Sequence, residues 1–112
     1  MLENVGASIE RYMNLVSERQ KLVASNIANA DTPGYQTKDI DFESELQSML
    51  PGQKPNVIEV SGLKSKNDGN NVDMDREARL LAENALRFSV ASNLAHSEIS
   101  TIRTAIEEAG KV

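Results

Sequence analysis

The sequence predicts an all-α fold. A long N-terminal and a long C-terminal helix pair as an antiparallel, coiled-coil-like hairpin, with a mostly irregular segment between them. Three observations carry this. Apolar residues recur every three or four positions at both ends of the chain. The stretch between them is punctuated by Pro33, Gly34, Pro51, Gly52, Pro55, Gly62 and Gly69. The 112-residue chain has 4% aromatic residues and no Trp, so its own core is thin and partners are needed to bury its apolar surface. The expected division is an N-terminal helix over 1–30, an elbow and irregular centre over 31–72, and a C-terminal helix over 73–112, all in one structural domain.

The N-terminal seam runs Leu2, Val5, Ile9, Tyr12, Val16, Arg19, Val23, Ile27, Ala30. Steps of three and four alternate, as on the buried stripe of an amphipathic helix, and only Arg19 breaks the apolar series. Arg19 is expected to pair with an acid on another subunit or to extend its head to water. Gly6 weakens the first turns by roughly 1 kcal/mol relative to Ala. Glu10, Arg11, Glu18 and Lys21 read as a solvated face. Asn26 and Asn29 lie three apart beside Ile27 and Ala30, and an amide next to an apolar seam fixes register at some expense of stability.

Asp31-Thr32-Pro33-Gly34-Tyr35 stops this helix. Thr32 precedes proline and is driven extended, and Pro33-Gly34 suits the centre of a type II turn. Beyond it, Asp39 to Leu50 reads as a short helix with Ile40, Phe42, Leu46, Met49 and Leu50 apolar, and Val57 to Val60 as a short strand. Residues 65–71, SKNDGNN, read as an exposed, mobile loop.

The C-terminal seam runs Met74, Ala78, Leu81, Ala85, Phe88, Ser92, Ala95, Ile99, Ile102, Ile106, Ala109. Asp73 is the expected N-cap, Asp75 and Glu77 suit the positive end of the helix dipole, and Gly110 marks the stop. The two helices would be about 28 and 35 residues, roughly 40–50 Å each. Seam alanines allow close approach but contribute little at about 25 cal/mol per Å². Such a hairpin is marginal alone and better buried in a bundle or tube of many copies.

Several functions are excluded by composition. A net charge of −5 and a pI near 4.8 argue against nucleic acid. Without Cys there is no disulfide, thiolate ligand or Cys nucleophile. His96 is the single histidine and lies on a helix amid Ala, Ser and Glu, so no catalytic constellation forms around it. Asp68, Asp73 and Asp75 with Asn70 and Asn71 do not have calcium-loop spacing and read as caps and loop solvation. No catalytic residue, cofactor, metal or small-molecule substrate is expected. No run approaches the ~18 apolar residues of a membrane helix, and the N-terminus has no Sec-type signal pattern.

Two blocks of sequence resemble a known family. LVASNIANADTPGYQTKDIDF, residues 22–42, is similar to the N-terminal signature of the flagellar rod and hook proteins. GNNVDMDREARLLAENALRF, residues 69–88, is similar to the opening of that family's C-terminal helix. The tail matches mainly at RTAIEEA, and Ala95-His96-Ser97-Glu98 lacks the basic residue found near there in the family.

The resemblance implies a structural subunit of the proximal part of the periplasmic rod, torque-transmitting and hollow for export. It would polymerise with copies of itself and with the next rod protein (FlgC type). The rod-to-membrane-ring adapter (FliE type) would be a further partner. It would leave the cell through the flagellar type III export apparatus, without a Sec signal. The implied subunit interface comprises Val16, Val23, Asn26, Ile27, Asn29, Pro33, Gly34, Tyr35, Leu81, Phe88, Ile99, Ile102 and Ile106, with the elbow amides and Tyr35 setting register against neighbours. Phe42 and Leu46 fit a Phe-x-x-x-apolar export signal, or simply an amphipathic turn packed on the helices. The alternatives are a soluble helical-hairpin adaptor or secreted effector, which leaves both blocks unexplained, and a needle-type secretion subunit, whose connection is only a few residues.

Overall fold

A computed structural model of the chain describes residues 2–48 and 52–111, with side chains from residue 5 onward. The side chain of Leu2, and Met49, Leu50 and Pro51, therefore lie outside the described residues. The elements are α1 (Leu2–Ala28), β1 (Lys38–Ile40), α2 (Phe42–Ser48), β2 (Val57–Glu59) and α3 (Met74–Gly110). The molecule is a rod in outline, 72 × 24 × 17 Å. The long helices pack against each other, and the β1–β2 pair and α2 lie against α1.

The all-α expectation needs one correction. The centre carries a two-stranded antiparallel sheet, with Lys38 opposite Glu59 and Ile40 opposite Val57. Asp39 and Ile40, the first two residues of the expected short helix, belong instead to the strand Lys38–Ile40. The reason is local to Asn26: its amide bonds both the N–H and the C=O of Lys38 and holds that backbone extended. The strand foreseen at Val57 is present.

The core is as thin as the composition implies. Leu15, Val16, Ile40 and Phe42 form it, with Tyr12, Leu22 and Leu46 packed around them. Phe42 ties α2 to both long helices. Tyr12 meets its ring edge-on at 5.6 Å, and the guanidiniums of Arg19 and Arg87 lie 5.7 and 4.9 Å from its centroid. Cation–π contacts of this kind contribute about 0.5–2 kcal/mol each.

Capping follows the sequence. Asp73 accepts from the N–H groups of Asp75 and Arg76 at the start of α3. At the elbow, the Tyr35 N–H donates to the Thr32 carbonyl at 3.2 Å, and Gly34 has φ +74°. That is the type II turn, and its third residue must tolerate positive φ.

The 65–71 segment is not a loose loop. Asn70 and Asn71 are buried, and the segment straps the elbow. The Asn70 amide donates to the carbonyls of Asn29 and Thr32, and the Lys66 ammonium donates to that of Ala30. The Gly34 N–H donates to the Asp68 carbonyl. The carbonyls of Asn29, Ala30 and Thr32 lie just past the end of α1, so a remote segment fastens the elbow that follows the helix. The Asp68 carboxylate accepts from the Asn70 N–H within the strap.

The pairing face of α3 also differs from the apolar seam. Glu77, Leu80, Asn84 and Ala91 are buried, while Leu81, Phe88, Ile99 and Ile106 are exposed. Along residues 77–92 each inward residue precedes a seam residue by one. The helix is therefore turned by about 100°, one residue's rotation. Polar contacts set this register: Asn26 with Glu77, Gln20 with Asn84, and Tyr12 with Arg87. Ala95 and Ile102 of the expected seam remain half-buried.

Candidate functional site: a buried polar lock beneath an open apolar face

Asn26 is the centre of the lock. It is 0% exposed, and its side chain makes four hydrogen bonds. The amide nitrogen donates to the Lys38 carbonyl at 2.8 Å and to Glu77 Oε1 at 2.9 Å. The amide oxygen accepts from the Tyr35 hydroxyl at 3.0 Å and the Lys38 N–H at 3.1 Å. An amide has two donors and two acceptor sites, so none is left for another chain. Position 26 on α1 thereby fixes the elbow, β1 and α3 together.

Two arginines and two carboxylates surround it. Arg19 grips Asp39 in a fork, Nε to Oδ1 at 3.0 Å and Nη2 to Oδ2 at 3.1 Å. Arg76 bridges Asp39 and Glu77, the latter at 2.8 Å. Arg19, expected to reach another subunit or solvent, is instead paired inside its own chain. Burial pushes the Asp39 carboxyl up, but its bonds from Arg19, the Ile40 N–H and Arg76 outweigh that and hold it below the ordinary value. At Glu77 burial prevails over Arg76 and Asn26, and the carboxyl is raised.

The other elbow residues are also engaged within the chain. Asn29 donates to the Ser25 carbonyl and accepts from the Thr32 hydroxyl. The Asn71 carboxamide receives the Thr37 N–H at 2.7 Å and donates to Gln36. Gly69 lies so close to the elbow that a Cβ there would stand 3.4 Å from the Gly34 Cα. The two sequence blocks, residues 22–42 and 69–88, are thus the two halves of one polar assembly.

Of the expected interface residues, Val16, Val23 and Asn26 are buried inside the chain, and Ile27, Asn29, Tyr35 and Ile102 are half-buried. Pro33 and Gly34 are exposed at the elbow. Leu81 (42%), Phe88 (43%), Ile99 (58%) and Ile106 (67%) form an open apolar row along α3. A second open row, Leu86, Val90 and Leu94, lies on its other side and had no counterpart in the seam analysis. The i, i+4 spacing of these three residues was its only available signal. Phe42 is buried and Leu46 half-buried, which matches the packed-turn reading.

The lock contains no nucleophile set beside a base, and the open row carries no polar chemistry; the arrangement holds helices and offers a surface. Comparison with known proteins agrees. The family model described as "Flagella basal body rod protein" matches residues 13–36, the stretch holding Arg19, Asn26 and the elbow. The flagellar basal body rod protein FlgB of Salmonella typhimurium is 32% identical, with 96% of this chain and 98% of the relative covered. The FlgB of Escherichia coli is 30% identical over the same shares. That of Borrelia hermsii is 28% identical, covering 87% and 91%. The chain belongs to the FlgB family of flagellar basal-body rod proteins, as a structural subunit of the basal body that assembles with other rod components and not as an enzyme.

Proposed function

We propose that the subunit builds the proximal, periplasmic end of the rod by docking the open apolar face of α3 on helices of neighbouring rod subunits. One observation carries this reading: Leu81, Phe88, Ile99 and Ile106 form an unpartnered apolar row on a chain of the rod family. Large side chains this exposed are unfavourable in a monomer and gain about 25 cal/mol per Å² once covered. Pro33 and Gly34 are exposed and offer contacts at the elbow. Val16, Val23, Asn26, Ile27, Asn29 and Tyr35 contribute by holding the hairpin in the shape that presents that row, with Ile102 at its edge. In this reading its neighbours are copies of the chain, a FlgC-type rod protein and a FliE-type adapter. The chain reaches them through the flagellar type III apparatus, with Phe42 and Leu46 read before folding.

The test is complementation of a strain lacking the gene. Wild type should restore swimming, while Phe88→Asp and Ile99→Asp should not. Basal bodies from the variant strains should keep the membrane ring but lack rod, hook and filament in electron micrographs. Ile99 is mostly exposed and Phe88 partly so, and the purified monomer should lose no more than about 1 kcal/mol per substitution. Swimming cells with complete basal bodies would refute the role of this face.

A further inference from the structure

Glu77 is buried side by side with Asp39's arginine partner, yet only half of its carboxylate is satisfied. Oε1 accepts from Asn26 and Arg76; Oε2 is buried with no partner. The groups around it are few. Arg76 is on its own helix and is shared with Asp39 of β1. Arg19 of α1 stands behind Asp39, and the Tyr35 hydroxyl reaches Glu77 only through Asn26. Asp73, which caps Arg76 from the backbone side, adds a further negative charge. Asp39 takes three of the guanidinium contacts in the cluster and leaves Glu77 one. A buried carboxylate with an empty oxygen is costly as an anion and far less so as a neutral acid.

We propose that Glu77 is a proton-operated lock on the α1–α3 register, closed by the neutral acid and loosened by the anion. In the closed form Oε1 still receives Asn26, and Arg76 turns its charge to Asp39 alone. The anion competes with Asp39 for Arg76 and leaves Oε2 as a charged, unsatisfied oxygen between the helices. Desolvation favours the proton in the folded chain. The sign follows: the folded chain binds more protons than the unfolded one, so stability falls as pH rises from the ordinary carboxylate range through the raised folded value. Asp39, with its value lowered, acts only below that window.

The test is thermal and urea unfolding of the full chain between pH 4.5 and 8, for wild type and Glu77→Gln. Glutamine keeps the Oε1 acceptor and supplies a donor where the proton would be. Wild type should lose stability as pH rises, by up to tenfold in the folding constant per pH unit where the two states differ by one proton. Glu77→Gln should be flat through that window. Carbon-detected NMR titration of the Glu77 carboxyl in the wild-type chain decides the matter should the variant not fold. A carboxyl titrating at or below its ordinary value, or identical pH profiles for the two proteins, overturns the proposal.

Discussion

Replacing Asn26 with alanine should be more damaging than removing the largest buried aliphatic side chain of the core. Its four hydrogen bonds comprise one to a carboxylate and three to neutral groups. At about 1.5–3 kcal/mol for the first and 0.5–1.5 for each of the others, the loss is about 3–7.5 kcal/mol. The deletion also strands the Lys38 N–H and C=O against an apolar methyl, which pushes the figure toward its upper end. Leu15→Ala, at the most buried aliphatic position, should cost about 2–5 kcal/mol. A domain of this size holds about 5–15 kcal/mol in all, so Asn26→Ala leaves a helical but poorly fixed chain. Urea unfolding followed by circular dichroism, with hydrogen exchange at Lys38 and Tyr35, measures both effects. Asn26→Asp sharpens the test, because it sets a second carboxylate against Glu77; its damage should be greatest at neutral pH and partly relieved by acid. An Asn26→Ala variant within about 1 kcal/mol of wild type, with β1 still protected, would refute the assignment of the lock.

Asp39→Asn leaves the half-buried Arg19 without a countercharge and Arg76 with Glu77 alone, and should cost about 3–5 kcal/mol in urea unfolding. The same variant should lose the acid limb of wild-type stability. Asp39 has a lowered folded value, so its contribution is complete above the ordinary carboxylate value and lost as pH falls through the lowered one. Gly34→Val forces a branched side chain into φ +74° and should cost about 1–2 kcal/mol. In cells it should block rod assembly while the subunit is still found outside the cytoplasm by immunoblot. A variant that is never exported would count against an assembly role for the elbow.

The helices were legible because their signals are local and redundant. Asp73 caps α3 as its side chain dictates, and the Pro33-Gly34 turn needs only the two residues that form it. The strap over 65–71 was misread because its composition is that of a solvated loop. Asn70 and Asn71 are buried by partners more than 30 residues away, and no local pattern reports such partners. The register of α3 was misread for a related reason. Periodicity identifies the most apolar stripe and assumes that it faces the nearest helix. Here Glu77, Asn84 and Arg87 face α1 instead, and Leu81 and Phe88 turn outward. Arg19 was the one visible warning, a charge on an otherwise apolar seam, and its partner Asp39 lies on β1, a strand that helical periodicity does not report.

That inversion has a physical logic. Apolar contacts are non-directional, so an alanine-rich seam permits several registers of nearly equal energy. A cluster of two arginines, two carboxylates and an amide permits one, since any slip leaves a buried charge unmatched. Fixing the hairpin with polar contacts also leaves its large apolar side chains outside, on two sides of α3. Rows on two sides of one helix are different surfaces, and a contact that joins unlike surfaces gives a ring where its rotation closes and an open helical assembly where it does not. The proportion can be measured. Removing Phe88 and Ile99 should abolish assembly and leave the monomer's melting temperature almost unchanged, whereas Asn26→Ala should lower the melting temperature and abolish assembly with it.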